Sequence, residues 1–264
     1  MLTHPLLPKL KELCLGGMLE SLEQRAALAQ EQQLSPVEFL ALLLEDELER
    51  RHQRRFLRRQ QEAGFESLKT LADFDFAAVP SLDRTLVREL ATCAFIRAHE
   101  NWLLCGPTGV GKSHLATAIG YEALKRGLRV LSFGVHRLLA RLQVSRADGA
   151  YSRLWARLTS VDLLILDDFG LRPLPPQGPE DLYELLAARY ERGSVLLTSN
   201  RAPTEWPEVF GDRLLASAAL DRLTHHARVT VITGESYRQQ QRKQPRTAAG
   251  RKEKSPPSAA SVSE

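Results

Sequence analysis

Apolar residues recur at helical spacing in the first 70 positions, where the helix-favouring residues Leu, Glu, Gln, Arg and Ala dominate. The clearest helix begins after Ser35, because Pro36 suits a first helical position and Glu38 can complete a capping box with Ser35. Five apolar residues of this helix recur at helical spacing, namely Phe39, Leu40, Leu43, Leu44 and Leu48. We expect their face to pack against two earlier helices, predicted over residues 6–15 and 19–31.

From about Leu71, short apolar runs alternate with helical stretches. The runs cover residues 102–104, 129–133, 161–166, 194–198 and 228–233. Apolar runs of this length between helices are typical of a mostly parallel sheet that is covered on both faces. The pattern predicts an α/β domain over residues 70–238, preceded by a small all-helical domain over residues 1–69. Residues 239–264 hold no large apolar side chain that could form a core, so we expect a disordered basic tail.

Composition narrows the class of protein. Hydrophobic residues make up 43% and charged residues 26% of the chain, which excludes a fibrous or wholly disordered protein. No apolar run approaches the roughly 20 residues of a membrane span. We therefore expect a cytoplasmic protein with no membrane partner.

The net charge of +4 says little about the folded surface, because the excess lies in the tail. Residues 238–264 hold seven basic and two acidic residues, whereas residues 71–237 are neutral and residues 1–70 carry −1. A surface that binds a polyanion must therefore come from local clusters of charge.

The segment between the first apolar run and the next helical stretch is rich in glycine. It reads GPTGVGKS from Gly106 to Ser113 and satisfies the pattern G-x-x-x-x-G-K-[ST], with a strand before it and a helix after it. The amides of such a loop face phosphate oxygens, Lys112 supplies positive charge, and the Ser113 hydroxyl can bind Mg²⁺. The residues predicted to bind ATP are Gly106, Pro107, Thr108, Gly109, Val110, Gly111, Lys112, Ser113 and His114.

Two later apolar runs end in polar residues that could serve the same nucleotide. Asp167 follows the third run, where a carboxylate can hold Mg²⁺ through water. Asp168 is placed to act as a general base on the attacking water. Asn200 closes the fourth run and could hold that water or the γ-phosphate. Polar residues also end many strands in α/β proteins, so the Asn200 prediction depends on its order after the two phosphate motifs.

Six arginines occupy the second half of the helix that begins at Ser35, namely Arg50, Arg51, Arg54, Arg55, Arg58 and Arg59. Their spacing places them on one side of the helix, where like charges repel. Guanidinium groups bind phosphate oxygens and release counterions, so a nucleic-acid backbone would offset the repulsion. We predict that this arginine stripe binds double-stranded DNA; the alternative is a solvated helix end that is balanced by the acidic residues upstream.

The adjacent residues His225 and His226 raise the question of a metal site. Neighbouring side chains on a helix point about 100° apart, and the local sequence offers no acidic or Cys partner. We therefore predict no metal at these histidines. The metal that the sequence does predict is Mg²⁺, at Ser113 and Asp167.

Taken in order, these motifs resemble the AAA+ ATPases, and specifically the IstB-like group of insertion-sequence transposition helpers, which is similar to the bacterial helicase loader DnaC. Besides the glycine-rich loop, the resemblance rests on TLADFDF (70–76), LLILDDFG (163–170), RYERGSVLLTSNRAPTEW (189–206), VFGDRLLASAALDRLTHHA (209–227) and GESYR (234–238). It covers nearly the whole chain before the tail and implies a P-loop NTPase fold.

The resemblance also implies roles for single residues. Asn200 corresponds to the sensor 1 residue, Arg222 to an arginine finger that reaches a neighbour's ATP, and Arg238 to the sensor 2 residue in cis. Arg213 is a second candidate for the finger, because this chain inserts residues between Arg213 and Arg222 relative to the loaders. Where most AAA+ members have Asp-Glu, this chain has Asp167-Asp168, and the shorter second acid predicts slow hydrolysis.

The function that these features predict is a DNA-associated ATPase switch. ATP and Mg²⁺ would drive self-assembly on double-stranded DNA, and the assembly would recruit or stimulate the transposase of the same element. A loader of a replicative helicase is the nearest alternative, since it would use the same motifs. A nucleotide-binding scaffold with little turnover is an alternative of another class. A P-loop kinase would need an arginine-bearing lid, and the sequence shows none.

Overall fold

The computed structural model of the protein describes residues 5–234 and 236–237. Arg238 and the predicted tail 239–264 lie outside the described residues. The helices are α1 Leu6–Glu12, α2 Gly16–Glu31, α3 Pro36–Ala63, α4 Arg84–Ala91, α5 Ala94–Arg97, α6 Lys112–Lys125, α7 Val135–Ala147, α8 Tyr151–Ser160, α9 Gly178–Arg189, α10 Trp206–Phe210 and α11 Arg213–Thr224, with a 3₁₀ turn at Pro203–Glu205. The strands are β1 Asn101–Cys105, β2 Val130–Gly134, β3 Leu163–Phe169, β4 Ser194–Ser199 and β5 Ala227–Val231.

The five strands form one parallel sheet in the order β2-β3-β4-β1-β5. All five strands predicted from the apolar runs are present, and their ends differ from the prediction by a few residues. Strand β4 lies between β3 and β1, so the residues that follow these three strands meet at one edge of the sheet, which we call the carboxyl edge. The opposite side, where the strands begin, is the starting edge.

Apolar side chains cover both faces of the sheet, as the continuous apolar runs predict. On one face, strand residues such as Leu164 and Leu197 pack with helices α7 to α11. On the other face, Trp102 and Ile165 pack with α4, α5, α6 and the end of α3. Both faces of the sheet are therefore buried, and the polar residues that can take part in a reaction lie at the ends of the strands.

Helix α3 is the longest helix and begins as the sequence predicts. The Glu38 amide donates to the Ser35 hydroxyl at 3.3 Å, and the Ser35 amide donates to the Glu38 carboxylate at 2.8 Å. Gly64 ends the helix with φ 74°, a left-handed conformation that favours glycine.

A buried carboxylate joins α3 to α2. Glu47 of α3 accepts hydrogen bonds from the Gly17 amide at 2.6 Å and from Arg51 Nε at 2.6 Å. Burial opposes its charge, but these hydrogen bonds outweigh burial and hold the pKa of Glu47 below its usual value. A Cβ on Gly17 would lie 2.5 Å from the Glu47 Cα, so the close approach of the two helices requires glycine here.

One expectation for α3 is wrong. Only part of its predicted apolar face packs on α1 and α2: Leu43 is buried and Phe39 is partly buried. Leu40, Leu44 and Leu48 are 52%, 47% and 55% exposed. The reason is geometric, since α2 crosses α3 on the side of Leu43 and Glu47 and leaves the adjacent side uncovered.

The second half of α3 packs on the sheet domain. The Phe56 ring meets the Tyr121 ring of α6 edge to face with centroids 5.7 Å apart, and Ala63 is fully buried in the same core as β1. Helix α3 therefore lies within the predicted helical domain but packs on the α/β domain with its second half, and the division at residue 69 stays a prediction.

Two polar side chains hold the starting edge of the sheet together. Asn101, the first residue of β1, donates from Nδ2 to the Leu223 carbonyl of α11 at 3.0 Å. Arg189 is 1% exposed and donates to the carbonyls of Leu158 and Ser194, both at 2.7 Å. Burial lowers the pKa of Arg189 to about 10. The end of α11 is thus fixed next to the start of β1.

No helix in the described part of the chain combines the length and apolar character that a membrane crossing requires. The cytoplasmic location stays a prediction.

Candidate nucleotide-binding site

The glycine-rich loop joins the end of β1 to the start of α6, as predicted. Gly106, Gly109 and Gly111 have φ of 149°, 90° and 94°, a region that side chains with a Cβ rarely adopt. The loop is bounded by Cys105 and by Lys112, the first residue of α6. Amide groups at such a helix start are suited to bind phosphate.

Lys112 lies within this loop rather than in solvent. It is 7% exposed, and its Nζ donates to the carbonyls of Gly106 at 2.8 Å and Pro107 at 2.7 Å. Burial lowers the pKa of Lys112, and the nearby carboxylates of Asp168 and Asp167 partly offset that effect. The loop therefore already holds a positive charge where the terminal phosphates of a nucleotide would lie.

The end of β3 brings oxygen ligands to the start of α6. The Ser113 hydroxyl donates to Asp167 Oδ1 at 2.9 Å, and the Thr198 hydroxyl of β4 donates to the same oxygen. A carboxylate beside a hydroxyl fits Mg²⁺, which prefers oxygen ligands and usually binds through few protein groups. Ser113 and Asp167, the predicted metal pair, are thus in direct contact.

Asp168 occupies an irregular position in β3. Its φ is 58°, and the pairing of β3 with β4 shifts register between Leu166 and Phe169. Its backbone amide donates to the Thr198 hydroxyl at 3.0 Å, so Thr198 contacts both the Asp167 carboxylate and the Asp168 backbone. The bulge leaves the Asp168 residue exposed at the carboxyl edge while Asp167 is partly covered.

Asn200 follows β4 directly and is exposed at the same edge. The Gly106 amide donates to the Ser199 carbonyl at 3.1 Å, which ties the end of β4 to the first glycine of the loop. The structure therefore brings Asn200 to the strand end between the loop and the two acids, where the sequence predicts it.

Contacts of two distant chain segments with the loop and the start of α6 were not predicted. The Phe74 ring lies against Gly111, where a Cβ would come within 2.9 Å of Phe74 Cε2, and the His114 ring nitrogen Nε2 is 3.0 Å from the Thr70 carbonyl oxygen. From the other side, the Tyr237 amide donates to the Gly109 carbonyl at 3.1 Å. Both segments belong to motifs seen in the sequence, but their distance along the chain hides the contact.

The two finger candidates occupy opposite ends of α11. Arg222 in its last turn donates to the Ala218 carbonyl at 3.0 Å, and its Cζ lies 4.9 Å from the centroid of the Tyr183 ring. Arg213 is the first residue of the helix and is exposed. Nine residues correspond to about 13.5 Å and half a turn beyond two full turns, so the two arginines lie on opposite sides of α11.

The arginine stripe divides into residues with different environments. Arg50 is turned toward α2, where its NH1 bonds to the Gly16 carbonyl and lies 2.8 Å from Glu20 Oε1. Arg59 is partly buried near Gly127. The remaining four are exposed: Arg51, Arg54, Arg55 and Arg58. The six arginines lie within about half the helix circumference, on one side as predicted, but only four are exposed because the margins of the stripe meet neighbouring elements.

A second group of arginines escaped the sequence analysis. Arg141 of α7 and Arg153 and Arg157 of α8 are exposed and line one groove between these helices. The regular spacing of these arginines on two helices could have indicated a basic surface. Only the packing of α7 on α8, however, brings the two sets together.

A parallel sheet in this order, with a phosphate loop after β1 and acids near the end of β3, defines a P-loop NTPase of the AAA+ type. The family model for the IstB-like ATP binding protein matches residues 8–245. The chain therefore belongs to the IstB-like ATP-binding protein family.

Individual relatives agree with this assignment. A Pseudomonas aeruginosa protein named for ATP binding in insertion sequence IS21 is 42% identical over 233 residues, which cover 88% of this chain and 87% of the relative. A Sinorhizobium fredii protein that carries a similar insertion-sequence ATP-binding name is 42% identical over 243 residues, covering 92% and 99%. Among solved structures, DnaI aligns with a TM-score of 0.54 and 24% identity over 62% of this chain and 91% of DnaI, and this likeness concerns the fold alone.

Proposed function

We propose that the chain is a Mg²⁺-dependent ATPase switch that assembles with copies of itself on double-stranded DNA and assists the transposase of its insertion sequence. The names of its relatives, which refer to ATP binding in insertion sequences, support the setting. The observation that carries the proposal is the position of Arg222 at the far end of the sheet from the phosphate loop.

Within one chain, Arg222 is remote from the nucleotide site. Its neighbour Leu223 is bonded to Asn101 at the start of β1, whereas the loop begins at Gly106 after the end of that strand. Five strand residues span roughly 16 Å, so an arginine at the starting edge cannot serve the phosphates bound by its own loop. A finger role for Arg222 therefore requires a second chain.

The residues of the carboxyl edge divide the chemistry among them. Lys112 and the loop amides bind the phosphates, and Ser113 with Asp167 holds Mg²⁺, which neutralises phosphate charge when bound. Asp168 accepts the proton of the attacking water, and Asn200 orients that water. Arg222 of a neighbouring chain stabilises the charge that develops at the γ-phosphate, with Arg213 as the other candidate. Arg238 serves as the sensor 2 residue of its own chain.

DNA binding belongs to the exposed arginines of α3. Arg54, Arg55 and Arg58 lie toward the end of the helix beyond the contacts with α2 and are exposed, so they can reach phosphate groups. Arg51 is paired with Glu47 at 2.6 Å and is less free to do so. The α7–α8 groove is a second basic surface that the same DNA could contact.

A mixing experiment tests assembly-dependent hydrolysis. Arg222→Ala keeps an intact phosphate loop and Lys112→Ala keeps an intact finger, so each variant alone should be inactive while a mixture on DNA recovers hydrolysis at shared interfaces. A finger supplied in trans is worth about 10³ to 10⁵ in rate in other phosphoryl-transfer systems, so the recovery should be easily measured. Arg97→Ala, which removes an exposed arginine from α5, is the matched control and should hydrolyse ATP normally.

The outcome separates the candidate functions. If the mixture is no more active than the sum of its parts, although both variants co-assemble, Arg222 does not act in trans. The finger would then be Arg213, or hydrolysis would not depend on a neighbouring chain. A wild type that assembles on DNA with ATP but does not turn it over would favour the scaffold. If the wild-type protein delivers a helicase to DNA and has no effect on a transposase, the helicase-loader function would be favoured.

A further inference from the structure

Three side chains that can bind a metal meet at the starting edge of the sheet, away from the nucleotide site. They are Glu191, which lies two residues beyond the end of α9, and His225 and His226, which directly follow α11. One ligand atom from each lies within 4.8 Å of the others. His226 Nε2 is 3.5 Å from Glu191 Oε1, and the two imidazole centroids are 4.1 Å apart.

The structure removes both reasons that the sequence gives against a metal here. The acidic partner is present but comes from a residue 34 positions before His225, so the local sequence does not show it. Helix α11 ends at Thr224, so His226 lies past the helix and its ring approaches that of His225. The fixed angle between neighbouring helical side chains does not apply at this point.

A further contact orients one of the histidines. The Tyr190 hydroxyl oxygen lies 2.8 Å from His225 Nδ1. In the tautomer in which Nδ1 donates to that oxygen, Nε2 carries the lone pair that a metal ligand needs. Histidines that bind metals almost always use their second nitrogen in such a hydrogen bond.

We propose that Glu191, His225 and His226 bind one divalent transition-metal ion of the Zn²⁺ type. Two imidazoles and a carboxylate are ligands that Zn²⁺ accepts, and three protein ligands leave one position for water. Ligands at about 2.0 to 2.1 Å from a tetrahedral Zn²⁺ lie roughly 3.4 Å from one another, so the present spacing requires small side-chain rotations. All three residues are exposed, which leaves room for those rotations.

The ion would connect the ends of α9 and α11. The contact between Arg222 and Tyr183 joins the same two helices, about one turn earlier along α11 and about two turns earlier along α9. A metal at this place would therefore hold the last turn of α11, and Arg222 with it, in one position. The site itself does not depend on the proposed ATPase function, because no residue of the phosphate loop takes part.

Zinc titration of the full chain, free of any affinity tag and of nucleotide and Mg²⁺, tests the proposal by calorimetry. The background carries Cys14→Ser, which removes an exposed thiol that could bind zinc. We expect one Zn²⁺ per chain and a loss of affinity of more than about tenfold in both His226→Ala and Glu191→Gln. The matched control His99→Ala removes another exposed histidine and should bind as the background does.

A second measurement keeps the result independent of folding defects. Bound Zn²⁺ should raise the thermal unfolding midpoint of the background protein by mass action, and this rise should be absent in His226→Ala. ATP binding should be the same in both proteins, which shows that the variant is folded. The proposal is overturned if the background binds no Zn²⁺, or if His226→Ala and Glu191→Gln bind it with unchanged affinity.

Discussion

The carboxyl edge of the sheet and the arginine stripe of α3 are both rows of charged residues, yet they are built differently. At the carboxyl edge, Lys112, Ser113, Asp167 and Thr198 bond to the backbone or to one another, so each position depends on the next. Along α3, neighbouring arginines share a helix but not a partner.

The difference shows what a sequence motif must contain to predict a site. The phosphate loop specifies a backbone conformation, because its glycines adopt φ values that other residues avoid, and the conformation then places the side chains. A stripe of charged residues specifies only the side of the helix on which those residues lie. Which arginines remain in solvent is decided by packing against α2 and α6, which the stripe does not encode.

The strongest way to test the carboxyl edge is to remove its buried cation. Lys112→Ala should reduce ATP hydrolysis to background and weaken ATP binding, because the loop loses the positive charge beside the phosphates. Steady-state hydrolysis and fluorescent-nucleotide titration would measure the two effects. Normal turnover in protein free of contaminating ATPase would show that this loop is not the site.

A smaller loss is expected at the exposed acid of the bulge. Asp168→Asn should keep ATP binding while slowing hydrolysis by about 10²-fold or more, because an amide cannot accept the proton of the attacking water. Single-turnover hydrolysis separates this step from binding. Leu171→Ala, at an exposed residue shortly after β3, is the control and should hydrolyse ATP at the wild-type rate.

The stripe should respond unevenly, which sharpens the contrast. Arg50→Ala should cost about 1 kcal/mol in free energy of unfolding, because it removes the bond to the Gly16 carbonyl. Combined Arg54→Ala and Arg55→Ala should leave the free energy of unfolding within about 0.5 kcal/mol. Denaturant unfolding measures both.

For DNA binding the order of the variants should be reversed, so that loss of Arg54 and Arg55 has the larger effect. Loss of Arg54 and Arg55 should flatten the dependence of log affinity on log salt by up to roughly 0.9 per lost phosphate contact. Arg88→Ala with Arg97→Ala removes the same charge from exposed positions elsewhere and is the control. Equal slopes for both double variants would favour a stripe that is merely solvated.

The smallest expected effect concerns acid. Arg25 donates to Asp46 at 2.8 and 2.7 Å and lowers the pKa of Asp46 to about 2. Because the folded-state pKa lies below the unfolded value, this pair stabilises the protein above about pH 4 and loses that contribution as the pH falls toward 2. Asp46→Asn should therefore lose less stability than wild type over this pH range, as measured by urea unfolding. An identical decrease in both proteins would contradict the assigned pKa.

Much of the fold followed from periodicity, because buried parallel strands give apolar runs that few other elements produce. The sequence likewise predicted that the loop, Ser113 and Asp167 belong to one site, since phosphate and Mg²⁺ binding require those residue types in that order, and the structure places Ser113 and Asp167 in contact. Thr198 was missed because a threonine within a strand has no distinctive spacing, and its role arises only from the β3–β4 pairing.

The features that the sequence did not predict share one physical cause. The exposed Leu40, Leu44 and Leu48, the inward Arg50 and the Glu191 partner of the two histidines all depend on which element lies next to which. Periodicity defines the faces of an element but not its neighbours. Contacts between residues far apart in the chain must be read from the folded structure.

Because α3 is one continuous helix, a tilt at one of its ends displaces the other end. Its 28 residues extend about 42 Å, and only the end near Phe56 and Ala63 is seated on α6, the helix that starts at Lys112. The arm toward Ser35, on which α1 and α2 pack, measures about 30 Å, so a tilt of roughly 10° at the end near α6 would displace the tip by about 5 Å. A small adjustment beside the phosphates would thus become a large excursion at the front helices, on the length scale of one helical turn.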